Sequence, residues 1–138
     1  MGCAKKQKGS IADLRLKWIS PIKEFGLVAN KDLRMNAYIG EYTGVVRHFN
    51  KIKDQKNPYC FEYSLGEMRT HFTIDAREKG NLMRFINHSS SPNISPVFIY
   101  AGGVIHVIFR ASRIIHKDEE ITYDYGPYYW AQRETPIE

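Results

Sequence analysis

Two short segments hold the side chains best suited to chemistry. The first runs Arg84-Phe85-Ile86-Asn87-His88-Ser89-Ser90-Ser91-Pro92-Asn93. It mixes amides, hydroxyls and one imidazole in an order that favours irregular backbone. Such a loop can offer backbone and side-chain donors to a ligand, and it can equally be an ordinary surface turn. The second runs Glu119-Glu120-Ile121-Thr122-Tyr123-Asp124-Tyr125-Gly126. On a strand, Tyr123 and Tyr125 share one face and Asp124 takes the other. Two neighbouring phenols are either core packing or the walls of a narrow aromatic slot ending in hydroxyl groups. His48, His71, His106 and His116 show no metal-ligand spacing and read as surface or strand residues.

The elements that must position these segments are short. Residues 14–18 alternate apolar and basic, as a half-buried strand does. Further strands are predicted at 26–29 and 38–46, with a polar connection over 30–36. The charged, turn-rich stretch 47–58 predicts an exposed insert. Residues 59–65 and 71–76 predict two strands flanking a turn at Gly66-Glu67. Asn81, just after Gly80, predicts a helix N-cap, with one helical turn over 82–86. Residues 95–100 and 104–111 are rich in Val, Ile and Phe, and Ala101-Gly102-Gly103 between them signals a hairpin. A last strand is predicted at 121–125. The fold class is therefore mainly β, an α+β domain with little helix. Residues 1–10 read as a disordered basic tail, 11–126 as one domain, and 127–138 as an aromatic tail carrying Tyr128, Tyr129 and Trp130.

Composition narrows the function classes. The chain is 43% hydrophobic, enough to bury a core within its 138 residues. Its nine Tyr, seven Phe and two Trp favour a ligand pocket, though only weakly. The net charge of +5 is modest. Apart from Lys5, Lys6 and Lys8 its basic residues are dispersed, and no nucleic-acid-binding module accompanies them. Cys3 and Cys60 give neither a disulfide framework nor a structural zinc cluster, which fits a reducing compartment. No apolar run approaches the roughly 18–20 residues of a membrane span, and no signal-peptide core follows Met1. Met1-Gly2-Cys3 is like a lipidation start, but Lys6 stands where that motif needs Ser or Thr. The stretch reads as solvated tail.

Together the segments resemble those of the SET-domain protein lysine methyltransferases. The pattern Arg-Phe-x-Asn-His-Ser is met by Arg84, Phe85, Asn87, His88 and Ser89, led in by Asp75, Ala76, Gly80 and Asn81. The closing pattern is met by Glu120, Ile121, Tyr123, Asp124, Tyr125 and Gly126. An earlier Glu-Tyr-x-Gly falls at Glu41, Tyr42 and Gly44. A weaker start lies at Ser20-Pro21-Ile22 and Gly26-Leu27-Val28-Ala29. The order holds over about residues 14–126. The resemblance implies a fold of small twisted sheets around a pseudoknot, a rare kind of threading. It implies that S-adenosylmethionine is bound by Phe25, Gly26, Arg84, Phe85, Asn87 and His88, and leaves as S-adenosylhomocysteine. Tyr125 matches the catalytic tyrosine, and Tyr42, Tyr59 and Tyr123 match the lysine channel. Trp130 and its neighbours stand where other members close the site with a cysteine-rich tail, which this chain lacks. The family usually has Gly two residues before Gly26, where this chain has Glu24. Ser90 replaces a common Cys.

The implied activity is methyl transfer to a lysine in an extended segment of a histone or other basic protein. Tyr123 stands where the family sets the number of methyl groups, and a tyrosine there implies mainly monomethylation. Neither zinc nor nucleic acid is an expected ligand. Nuclear, cytoplasmic and secreted-effector settings stay open. The competing readings are a non-catalytic module that recognises peptides through the same fold, and a basic nucleic-acid-binding domain.

Overall fold

The computed structural model describes residues 11–50, 54, 57–65 and 68–126, with side chains for all of these but 62–65 and 68–71. Strands β1 (Leu14–Ser20) and β2 (Glu24–Ala29) form an antiparallel hairpin pairing Leu14 with Ala29 and Lys17 with Gly26. Gly26-Leu27-Val28-Ala29 is the buried run of β2, and it sets this hairpin against the rest of the molecule.

A second sheet has the order β3-β9-β8, from β3 (Tyr38–Glu41), β8 (Ile94–Ala101) and β9 (Val104–Ala111). Its inner face supplies Ile39, Ile94, Val107 and Phe109, all without exposed surface. The β8–β9 turn places Gly102 at φ 61° and Gly103 at φ 79°. Two successive left-handed residues suit the right-handed twist of a two-residue hairpin, so the expected signal is realised.

The third sheet has the order β4-β6-β5, from β4 (Val45–His48), β5 (Cys60–Leu65) and β6 (Met68–Asp75). Residues 38–46, expected as one strand, are thus two strands in different sheets. The chain leaves β9 after Tyr42, whose N–H still donates to Val107 O at 2.8 Å. It then passes Gly44, where a Cβ would stand 2.5 Å from Asp75 O. Only glycine allows that approach, and alternation of residue types does not reveal it. Within 47–58, the described residues 48–50 and 58 are exposed as expected, but two positions depart from that. Asp54 and Asn57 are buried, because an arginine and a second aspartate partner them from β4 and β6.

Asn81 caps the 3₁₀ turn η1 (Leu82–Phe85), its side chain accepting from Met83 N at 3.1 Å. The next two strands, β7 (Asn87–His88) and β10 (Thr122–Tyr123), pair in parallel. The expected last strand therefore shortens to two residues. Its approach runs between two earlier parts of the chain. Ile121 N donates to Leu27 O at 2.8 Å and Ala29 N to Glu119 O at 3.0 Å on one side. Ser89 N donates to Tyr123 O at 3.1 Å and Asn93 N to Thr122 O at 3.2 Å on the other. This interleaving is the knotted crossing, and the fold class inferred from the motifs holds. The core shared by all the sheets gathers Leu27, Ile39, Phe61, Ile74, Met83, Phe109, Ile115 and Ile121.

Candidate functional site

The site begins at the β7–β10 pair. Parallel register sets Thr122 beside Asn87 and Tyr123 beside His88. The two chemically rich segments, more than thirty residues apart, are thereby one structure. Asn87 Nδ2 donates to Glu120 Oε2 at 2.8 Å and to Phe25 O at 3.2 Å. Lys23 Nζ approaches the other oxygen of Glu120 at 3.6 Å. Gly26 lies against this group. A Cβ there would stand 2.6 Å from Glu120 Oε2, 2.8 Å from Asn87 Nδ2 and 2.9 Å from Ile19 Cγ1. The glycine is thus required for the backbone of β2 to reach the amide–carboxylate pair. Phe25, beside it, is 45% exposed and meets Trp18 edge-on at 5.2 Å.

Glu24 has φ 60°, in the left-handed region that favours glycine. Resemblance led us to expect glycine at this place, and the backbone keeps the glycine-type conformation although the residue is glutamate. The bend into β2 is therefore intact.

His88 is held from the opposite side. Its Nδ1 accepts from Tyr125 N at 3.1 Å, and its ring meets the Tyr125 ring edge-on at 5.3 Å. With Nδ1 accepting, a neutral ring carries its proton on Nε2. Asp124 Oδ1 stands 3.7 Å from the same nitrogen, too far for a hydrogen bond, and instead accepts from Gly126 N at 2.9 Å.

Aromatic residues continue the site inward. Tyr125 donates its hydroxyl proton to Ile86 O at 2.5 Å. Its ring lies 4.7 Å from that of Tyr123, which is buried against Phe109 at 4.9 Å and Phe61 at 5.6 Å. Phe61 in turn lies 4.9 Å from Tyr42, whose hydroxyl donates to Tyr59 O at 2.6 Å. Tyr42, Tyr123 and Tyr125 therefore belong to one aromatic cluster through Phe61, and Tyr59 joins them through its backbone carbonyl. Arg84 donates to Ala76 O at 3.1 Å, with its guanidinium 5.0 Å over the Phe85 ring. Phe85 meets Tyr59 edge-on at 6.5 Å. Trp130 and the aromatic tail lie outside the described residues.

Two contributors escaped the sequence reading, and a third was legible without its partner. Glu120 stood out as a motif position, but its bond to Asn87 needed the crossing. Lys23 carried no signal. The Ile86 carbonyl is a backbone group, which no residue type announces. Among the described residues, no cluster of His, Cys, Asp and Glu is arranged to hold a metal ion. Among the same residues, no helix is long and apolar enough to cross a membrane.

Comparison with known proteins bears on the family and the fold. The N-lysine methyltransferase KMT5A-A of Xenopus laevis is 35% identical over 109 residues, covering 73% of this chain and 32% of that protein. The H3 lysine-36 specific histone-lysine N-methyltransferase of Candida albicans is 37% identical over 114 residues, covering 76% of this chain and 13% of the relative. The chain thus spans a third or less of these two relatives. The crystal structure of KRYPTONITE in complex with mCHH DNA, H3(1-15) peptide and SAH shares the fold, with a TM-score of 0.74 and 28% identity over 88% of this chain and 25% of that one. Residues 24–126 match the family described as SET domain. That match starts at the left-handed Glu24 and ends on Gly126, just past the last tyrosine; it takes in the whole crossing, and the chain belongs to the SET-domain family.

Proposed function

We propose that this chain transfers a methyl group from S-adenosylmethionine to the amine of a protein lysine. The observation that carries the reading is the meeting of the Asn87–Glu120 pair, under the bare backbone of Gly26, with the Tyr125–Ile86 carbonyl bond across one two-residue parallel bridge. A Cβ at Gly26 would collide with Glu120 and Asn87, so the glycine keeps bare backbone beside that pair, which suits a ligand that must lie against backbone. We assign Phe25, Gly26, Asn87 and His88 to the cofactor, with Arg84 and Phe85 supporting the wall beside it. When bound, the cofactor supplies a methyl group on a positively charged sulfur.

The chain's own residues then have three tasks. The first is to neutralise the amine, because only the neutral form has a lone pair. Free lysine has a pKa of about 10.4, so deprotonation at pH 7 costs about 4.6 kcal/mol. A channel of Tyr42, Tyr59, Tyr123 and Tyr125 disfavours the ammonium by desolvation, and the cofactor's positive charge repels it. The proton leaves to solvent without a dedicated base. The second task is alignment, worth several kcal/mol when the reacting groups are held in line. The third is electrostatic. A hydroxyl that donates its proton to a carbonyl acts toward a third group only as an acceptor. The Tyr125 oxygen and the Ile86 carbonyl are therefore suited to accept weak C–H hydrogen bonds from a polarised methyl group.

The substrate we propose is a lysine in an extended segment of a histone or another basic protein, docked as an added strand with the 47–58 region as one wall. Two of the relatives named above methylate lysines by their names, and KRYPTONITE was crystallised with an H3(1-15) peptide. We expect mainly monomethyl-lysine, in a nuclear or cytoplasmic setting. Incubation with isotopically labelled S-adenosylmethionine, core histones and a basic-protein mixture tests the reading. Label on lysine, located by mass spectrometry, is expected. Peptide binding without label would leave a recognition module in place of an enzyme.

A further inference from the structure

A partly buried charge cluster lies outside the machinery described so far. Arg47, at the third position of β4, faces two carboxylates. Its Nη1 donates to Asp54 Oδ2 at 2.8 Å and its Nη2 to Asp54 Oδ1 at 2.5 Å. The same Nη2 reaches Asp75 Oδ2 at 2.8 Å, with Nε on that oxygen at 3.2 Å. Asp54 has no exposed surface. A fully buried acid bridged by one planar guanidinium is costly to assemble unless the geometry fixes something.

What it fixes can be followed bond by bond. The second oxygen of Asp75 accepts from Asn57 Nδ2 at 3.0 Å and from Arg77 N at 2.9 Å. Asn57 Oδ1 accepts from Tyr59 N at 3.0 Å. Tyr59 O accepts from Ala76 N at 3.0 Å and from the Tyr42 hydroxyl at 2.6 Å. Asn57, like Asp54, is buried, so the middle of this path is largely removed from solvent.

We infer that Arg47 is a positioning residue for the lysine channel, acting through Asp75, Asn57 and the Tyr59 backbone on the hydroxyl of Tyr42. The inference rests on the reading of Tyr42 and Tyr59 as channel residues. It assigns the 47–58 region a second role beyond a groove wall: its ionic anchor sets where the channel tyrosines stand. The cofactor cradle at Gly26, Asn87 and Glu120 shares none of these bonds. Disturbing the anchor should therefore affect the lysine and spare the cofactor.

Two variants of the full chain test this. Arg47→Lys keeps the charge but loses the planar fork that spans both carboxylates. Asn57→Ala cuts the path and leaves no buried charge behind, which guards against a chain that simply fails to fold. Native-state hydrogen exchange should show the Tyr59 and Ala76 amides losing protection by about tenfold or more in both variants, with the Ile121 amide unchanged. Unchanged protection at Tyr59 and Ala76 overturns the inference whatever the activity. In the methylation assay, kcat/KM for peptide should fall about fivefold or more, with the dissociation constant for S-adenosylmethionine within twofold. Combined with Tyr42→Phe, either variant should add less than its own separate effect, because the changes lie on one path. Full additivity, or an equal loss of cofactor affinity, overturns it. A wild-type chain that transfers no methyl at all fails a different claim, the proposed activity, and exchange still judges the path.

Discussion

In the proposed reaction, Tyr125 concentrates the chemistry in one hydroxyl. It is tied to Ile86 O, and its N–H is tied to His88, so ring and backbone are both oriented before any substrate arrives. Tyr125→Phe keeps the ring contact with Tyr123 and deletes only the oxygen. We expect kcat to fall at least tenfold, about 1.4 kcal/mol of transition-state stabilisation, with cofactor affinity nearly kept. Turnover within twofold of wild type would remove Tyr125 from the catalytic role. Tyr123 is buried between Phe61, Phe109 and Tyr125, and on the proposed reading its hydroxyl bounds the lysine channel. A phenol there can hold an ordered water in the space a methylated amine needs, and displacing such a water has a cost. Tyr123→Phe should shift the product from monomethyl- toward di- and trimethyl-lysine in mass spectra at long reaction times. Dominant trimethyl-lysine from the wild type would refute the assignment. Glu24 makes a prediction about stability. A non-glycine residue in the left-handed region carries about 1–2 kcal/mol of strain, partly offset against glycine's greater chain entropy. Glu24→Gly should therefore stabilise the chain by about 0.5–1 kcal/mol, the reverse of glycine's usual effect in a strand. A lower urea midpoint in the variant would contradict this.

The β4–β6 pair is held by charge as well as by its ladder. Arg47 holds the Asp54 carboxyl below its ordinary range; burial opposes it, and the Asn50 N–H helps. At Asp75 burial pushes upward most strongly, but the Arg77 N–H, Arg47 and Asn57 together outweigh it and hold the carboxyl low. Both groups are thus more acidic folded than unfolded. Their contribution is complete above the ordinary aspartate value of about 4, and it is lost as pH falls through the lower folded values. Urea midpoints should be insensitive to these groups between pH 7 and 5 and should drop below about pH 4. Asp54→Asn should start less stable at pH 7 and lose part of that acid dependence. An equal acid slope in both chains would exclude Asp54 as a source. Cys60, on the neighbouring strand, is pushed up to about 11, first by burial and then by the same two aspartates. Its thiol stays protonated at neutral pH, so it belongs to the packing and not to the chemistry.

At the scale of the whole molecule, the sequence makes the local pieces plain and hides their crossing. The 81–86 turn was legible because Asn81 caps by a local bond, and the β8–β9 hairpin because two glycines mark its turn. The split of 38–46 was not, since it depends on Gly44 meeting Asp75, thirty-one residues away. Motif order pointed to the tyrosines and to Asn87, whereas alternation of residue types could not join β7 to β10. The residue that locks that junction is Asn93, which the sequence offered only as the end of a polar loop. It is 1% exposed, yet its side chain is fully engaged. Its Nδ2 donates to Glu120 O at 2.7 Å and Glu119 Oε2 at 2.9 Å, while its Oδ1 accepts from Thr122 N at 2.9 Å. One buried amide thus pins the approach to β10 beneath residues 87–93, and with it the position of Glu120 against Asn87. Asn93→Ala would leave Thr122 N–H and Glu120 C=O without these partners in the interior. Each such group costs about 1–3 kcal/mol, so we expect a loss of about 3–5 kcal/mol, a large share of a domain's usual 5–15. Asn93→Asp keeps the acceptor for Thr122 but sets a carboxylate against Glu119, so its penalty should shrink on mild acidification. Ser95→Ala, exposed on β8, should stay within about 0.5 kcal/mol of wild type. Urea unfolding followed by tryptophan fluorescence separates these outcomes. If Asn93→Ala unfolds within about 1 kcal/mol of wild type, the crossing is held by the apolar packing of Ile94 and Ile121, and the buried amide is not its lock.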